Sequence, residues 1–98
     1  MQDEGKYKKY LADLIQKSVL PGSYVLRLNS EYFQGIPDII VLYNNRWAML
    51  EAKRSVDAPH RPNQDYWVDI FDKLSFAAFI YPENEEVVLH ELQQALLL

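Results

Sequence analysis

The sequence has no cysteine, which excludes disulfides and thiolate metal sites and suits a reducing compartment. It also lacks any apolar stretch approaching the roughly 20 residues needed to cross a bilayer. The polar start Met1-Gln2-Asp3-Glu4 has no hydrophobic run of the signal-peptide kind. A soluble cytoplasmic protein with no membrane partner is expected. Glycine is scarce, at three residues, and no internal repeat, low-complexity segment or linker divides the chain. With 98 residues, one domain spanning 1–98 is expected. A core of that size buries only about two thirds of the unfolded surface, so dimerisation would supply useful extra burial.

What is present is ample apolar material. Hydrophobic residues make up 49% of the chain, with two Trp, seven Tyr and four Phe, far from the composition of a disordered segment. The net charge of −4 does not suggest a nucleic-acid binder, but its distribution matters more than its sum. Up to Lys73 the acidic and basic residues balance, and the excess comes from Glu83, Glu85, Glu86 and Glu91. An acidic tail helix facing away from a locally basic cleft leaves DNA binding open.

The spacing of Tyr7, Tyr10, Leu11, Leu14, Ile15 and Leu20 predicts an amphipathic helix from Glu4 to Leu20, ended by Pro21-Gly22. Tyr24 to Asn29 reads as a strand. Asp38 to Tyr43, with Ile39-Ile40-Val41-Leu42, reads as a strand covered on both faces. Asn44-Asn45 makes a tight turn, because asparagine tolerates the left-handed conformation. In the returning strand, Arg46 to Lys53, alternation puts Trp47, Met49, Glu51 and Lys53 on one face and Ala48, Leu50 and Ala52 on the other. Pro62 suits the first turn of a helix carrying Trp67, Ile70, Phe71 and Leu74 at core spacing. Ala77 to Tyr81 is a short strand, and Asn84 caps a last helix packed through Val88, Leu92, Ala95 and Leu96. The expected class is α/β: helix, three strands, helix, strand, C-terminal helix, with a mixed sheet flanked by helices.

Asp38 opens one strand and Glu51 and Lys53 close the next, so the hairpin brings all three to one end of the sheet. Two carboxylates near strand carbonyls, such as that of Ala52, are the hard oxygen ligands that Mg²⁺ prefers. A lysine beside them can orient a nucleophile or stabilise developing negative charge, and phosphodiester hydrolysis is the natural reaction. The bland alternative is a surface ion pair between Glu51 and Lys53 on an edge strand, worth at most about 1 kcal/mol.

Ile36-Pro37-Asp38, followed thirteen positions later by Glu51-Ala52-Lys53, resembles the PD-(D/E)XK nuclease superfamily, whose restriction-endonuclease-like core has the same αβββαβ order. Gly35-Ile36-Pro37-Asp38, Leu50-Glu51-Ala52-Lys53 and Pro62-Asn63-Gln64 are similar to the virus-type replication-repair nuclease (VRR-NUC) group. The resemblance covers nearly the whole chain, except that Ser75-Phe76 stands where that group has a glycine before the last strand. It implies that Asp38 and Glu51 bind Mg²⁺, with Mn²⁺ as a substitute. Lys53 would be catalytic, Gln64 would complete the site, and Glu4 would be the acidic residue of the first helix, with Asp3 competing for that role. It further implies a homodimeric phage or bacterial resolvase of branched, four-way DNA junctions.

Lys6, Lys8 and Lys9 follow Glu4, and Arg54, His60 and Arg61 surround the proposed site in sequence. Arg54, Arg61, Lys6 and Lys9 are the expected DNA phosphate contacts, whereas His60 reads as an ordinary loop residue. The Trp and Tyr residues are assigned to packing, and a dimer interface is expected around Tyr32-Phe33 and Leu96-Leu97-Leu98. The rivals are a restriction or repair nuclease acting on duplex or flap DNA, and a non-catalytic DNA-binding module.

Overall fold

The structure is a computed structural model and describes residues 3–29 and 33–98. Its first helix, α1 (Glu4–Leu14), starts at Asp3, whose Oδ1 accepts from the Lys6 amide at 2.8 Å. That bond satisfies one of the amides left without a partner at a helix start. The helix does not continue as α-helix to Leu20: Ile15–Val19 form a π-helical turn closed by the Leu20 amide on the Ile15 carbonyl. The wider turn brings Ile15 and Leu20, five residues apart, closer to one side, and both are buried.

Strands β1 (Tyr24–Arg27), β2 (Ile39–Tyr43) and β3 (Arg46–Ala52) form an antiparallel meander. The turn between β2 and β3 is Asn44-Asn45, and Asn44 takes the left-handed conformation with φ 54°. After α2 (Gln64–Leu74), strand β4 (Phe76–Ile80) joins β3 in parallel. The chain closes with α3 (Glu85–Leu97). The result is an α/β fold whose four-stranded mixed sheet runs β1-β2-β3-β4, with β3 interior rather than at an edge.

Alternation along β3 divides the core as the sequence implies. Ala48, Leu50 and Ala52 join Tyr7, Leu11 and Ile15 of the first helical segment and Val88, Leu89, Leu92 and Leu96 of α3. Trp47 and Met49 face the other way, against Val68 and Phe71 of α2 and Ala77 of β4. No helix among the described residues is long and apolar enough to cross a membrane.

Several local expectations are corrected. Pro62 lies in a turn ahead of α2 instead of in its first turn, because Asn63 at φ 70° cannot belong to a right-handed helix. Val68 replaces Leu74 in the α2 stripe, and Leu74 is exposed beside the helix end. Asn84 stands at the start of α3 without capping it: its side chain accepts from the Tyr81 amide and donates to the Phe79 carbonyl, holding the end of β4. Tyr10, Tyr24 and Tyr66 are exposed rather than buried, the Tyr66 ring lying in a T-shaped contact with Trp67. Of the residues expected at an interface, Leu96 is buried in the protein's own core, Leu97 and Leu98 are exposed, and Phe33 is exposed in a T-shaped contact with Trp67. Tyr32 lies outside the described residues.

Candidate active site

The register of the hairpin builds the site. Ile39 pairs with Leu50, so the next residues outward, Asp38 and Glu51, stand opposite one another on the face that carries Ile40 and Met49. The Ala52 amide donates to Asp38 Oδ1 at 3.3 Å, and the Leu28 amide donates to the Asp38 carbonyl at 2.8 Å. Asp38 is thereby tied to strands on both sides.

Glu51 is only 3% exposed, and its Oε1 has no hydrogen-bond partner among the described residues. Burial, with a further contribution from the neighbouring Asp38 carboxylate, pushes the Glu51 carboxyl up to about 8 from its ordinary 4.5, against the opposing pull of Lys53 and Lys8. An unpartnered buried carboxylate oxygen is costly and marks a position that a cation would stabilise.

Lys53 does not form the surface ion pair of the bland alternative. It follows an interior strand, is 3% exposed, and donates from Nζ to the Pro59 carbonyl at 3.1 Å and to Gln64 Oε1 at 2.7 Å. Gln64 opens α2, is buried, and accepts with the same oxygen from the Arg61 amide at 2.8 Å. The approach of this turn to β2 depends on Gly35. At φ +89°, a Cβ there would lie 2.6 Å from the Pro62 carbonyl oxygen and from the Asn63 carbonyl carbon.

The predicted residues Glu4, Asp38, Glu51, Lys53, Arg61 and Gln64 converge on one pocket of about 350 Å³. Of the two acids at the start of α1, Glu4 lines the pocket, whereas Asp3 is exposed and engaged in capping. Glu4 does not complete a cluster, however: among the described residues no group of three or more His, Cys, Asp or Glu is gathered to hold a metal. The donor set is two facing carboxylates. Mg²⁺ is commonly held by one or two carboxylates, with water and phosphate oxygens completing its octahedron, so these residues fit it.

Arg54, Lys6 and Lys9 are exposed and do not line the pocket, and Lys9 pairs with Asp13 one helical turn away. His60 stacks on Phe79 with centroids 4.1 Å apart and meets Asp65 through Nδ1, in keeping with a packed loop residue. The charged residue lining the pocket that sequence reasoning did not single out from its neighbours Lys6 and Lys9 is Lys8, whose Nζ lies 2.6 Å from Asp38 Oδ2. Its signal was the four-residue spacing from Glu4, which puts both on one face of α1. Tyr7 and Tyr10 anchor that helix by donating to the two oxygens of Glu85 in α3, at 2.9 and 2.7 Å.

Comparison with family models, with curated proteins and with solved structures finds no match to this chain.

Proposed function

We propose that the chain is a Mg²⁺-dependent endodeoxyribonuclease of the PD-(D/E)XK type, with a restriction-endonuclease-like core closest to the VRR-NUC group. The observation that carries this reading is Glu51: a buried carboxylate with an unpartnered oxygen, facing Asp38 in a pocket that also holds an immobilised lysine. A structural carboxylate would have a partner. This one stands where a cation and a phosphate can be received together.

Asp38 and Glu51 would hold the metal through their carboxylates, with the Ala52 carbonyl as a further oxygen donor. When bound, Mg²⁺ supplies Lewis acidity toward the scissile phosphate and lowers the pKa of attacking water. Lys53 orients the nucleophile and offsets charge developing on the phosphate, its ammonium already aimed by Pro59 and Gln64. Arg61, at the pocket wall, steers a neighbouring phosphate. The preferred substrate is branched DNA, cut by a homodimer whose two sites address different strands.

The test is cleavage of a panel of four-way junction, flap, duplex and single-stranded DNA by purified protein, with Mg²⁺ or with chelator and with Asp38→Asn as control. Light scattering gives the oligomeric state. Metal-dependent paired nicks on the junction are expected. Preferential cutting of duplex or flap would replace the junction assignment with a restriction or repair one. DNA binding with no cleavage of any substrate would leave a non-catalytic module instead.

A further inference from the structure

The pocket contains two lysines and two facing carboxylates, and they are not paired symmetrically. Lys53 is held by neutral acceptors from two other segments, Pro59 and Gln64. Lys8 has one partner among the described residues, Asp38, at 2.6 Å, with the two side chains 22% and 15% exposed. Glu51, opposite Asp38, feels the charges of Lys53 and Lys8, but among the described residues nothing hydrogen-bonds its Oε1.

We propose that Lys8 is an exchangeable counter-ion: without a divalent cation its ammonium occupies Asp38 Oδ2, and metal binding displaces it to the pocket mouth, where it contacts a DNA phosphate. The inference rests on the metal-dependent reading above and assigns that site a second state.

The geometry requires a choice at Asp38. Its Oδ1 already accepts from the Ala52 amide, which leaves Oδ2 as the oxygen directed to the pocket, and Lys8 is on it. Mg²⁺ binds carboxylate oxygen at about 2.0–2.1 Å. An ammonium on the same oxygen would face a dication at close range in a partly shielded site, where like charges repel far more strongly than in water. One of the two must leave, and only Lys8 is built to do so. Its four-carbon stem rises from a helix surface and ends in a freely turning point charge, whereas Lys53 is fixed at both its acceptors. A displaced Lys8 remains on the face of α1 that carries Glu4 and lines the pocket. The positive charge is thus transferred from protein carboxylate to substrate phosphate as the metal arrives.

An ordinary docking ion pair between α1 and β2 would also hold Lys8 on Asp38, and metal affinity separates the two. Calorimetric titration of the DNA-free 98-residue chain with Mn²⁺ should show Lys8→Met, which keeps the apolar stem, binding at least about tenfold tighter than wild type. In Ca²⁺, the same variant should bind junction DNA several-fold more weakly than wild type. Because Lys8→Met also removes a contact between α1 and Asp38, a second measurement uses the wild-type protein: the Lys8 ammonium resonance, assigned by its absence in Lys8→Arg, should lose protection from solvent exchange when Mg²⁺ is added. An unchanged or weaker Mn²⁺ affinity in Lys8→Met, or a Lys8 signal still protected at saturating Mg²⁺, overturns the exchange and leaves the metal site standing. Failure of wild type and variant alike to bind Mn²⁺ removes the metal site and the exchange together.

Discussion

The Lys53 ammonium reaches from the end of β3 to the first residue of α2 and donates to Gln64 Oε1 at 2.7 Å. The contact joins the hairpin arm that carries Glu51 to the helix that faces it. Gln64 is therefore expected to act on the chemistry through Lys53. Gln64→Ala should lower kcat by about 10- to 100-fold, the scale of lost outer-shell support, with Mn²⁺ affinity nearly unchanged. Lys53→Ala should lower it by about 10²- to 10³-fold. The double variant should be no worse than Lys53→Ala alone. Additive losses in single-turnover kinetics would make Gln64 independent of Lys53.

Asp38→Asn and Glu51→Gln should each abolish cleavage and leave the circular dichroism spectrum native, since each removes a charged ligand while preserving side-chain volume. Mn²⁺ titration should show lost affinity in both. Wild-type turnover in either variant would take that carboxylate out of the mechanism.

Glu51 also makes metal-free stability depend on pH. With its carboxyl raised from 4.5 to about 8 in the fold, the native state keeps a proton that the unfolded chain has lost throughout that interval. The native state is therefore favoured by this group below about 4.5, and the advantage is lost as pH rises toward 8. Urea unfolding in chelator, compared between wild type and Glu51→Gln, should give curves that diverge with rising pH, the variant being the more stable at pH 8. Saturating Mg²⁺ should reverse the order there, because it stabilises the native wild type by binding it. Parallel curves in chelator would contradict the buried-carboxylate account.

Arg61 lines the pocket, whereas Arg54 is exposed outside it. Arg61→Ala should weaken DNA binding with little sequence dependence and reduce the slope of log affinity against log salt by about 0.9, the loss of one phosphate contact. Arg54→Ala should change the slope less. Fluorescence anisotropy across a salt series measures both, and equal effects would show a DNA footprint wider than the pocket.

Gly35→Ala combines a left-handed backbone position with a clash against the Pro62–Asn63 turn. A cost of about 1–3 kcal/mol is expected, visible as a lower Tm. The chemical shifts of the Gln64 side-chain amide should move with it. A neutral substitution would mean that the turn can recede without disturbing α2.

Much of this arrangement was legible in the sequence because it follows from period-two alternation and a two-residue turn. Those two features alone predict that Glu51 lies on the Met49 face and that Asp38 stands across from it. The convergence of Lys53 with Gln64 was named only through resemblance, since no local pattern tells a strand end which helix start it will meet. Lys8 was not singled out from Lys6 and Lys9 for a related reason: three lysines in four positions look alike as charges, and only the docking angle of α1 selects one. The π-helical turn at Ile15–Val19 left no periodic signal distinct from an α-helix. Asn84 had the right identity for a helix cap, but the end of β4 offered its side chain two nearer backbone partners.

The two-residue turn at Asn44-Asn45 has a consequence for how this site tolerates change in length. Opposed positions in such a hairpin are separated by an odd number of residues, so the thirteen-residue interval between Asp38 and Glu51 is a statement of parity as much as of distance. Inserting one residue into the second arm, with the turn kept at two residues and Asp38 held in place, would bring Leu50 opposite it and swing Glu51 to the far face of the sheet. Adding two residues to each arm would lengthen the interval to about seventeen, yet restore both the opposition and the face. The hairpin can therefore grow or shrink in matched steps without losing the pair, whereas a single unmatched residue dismantles it.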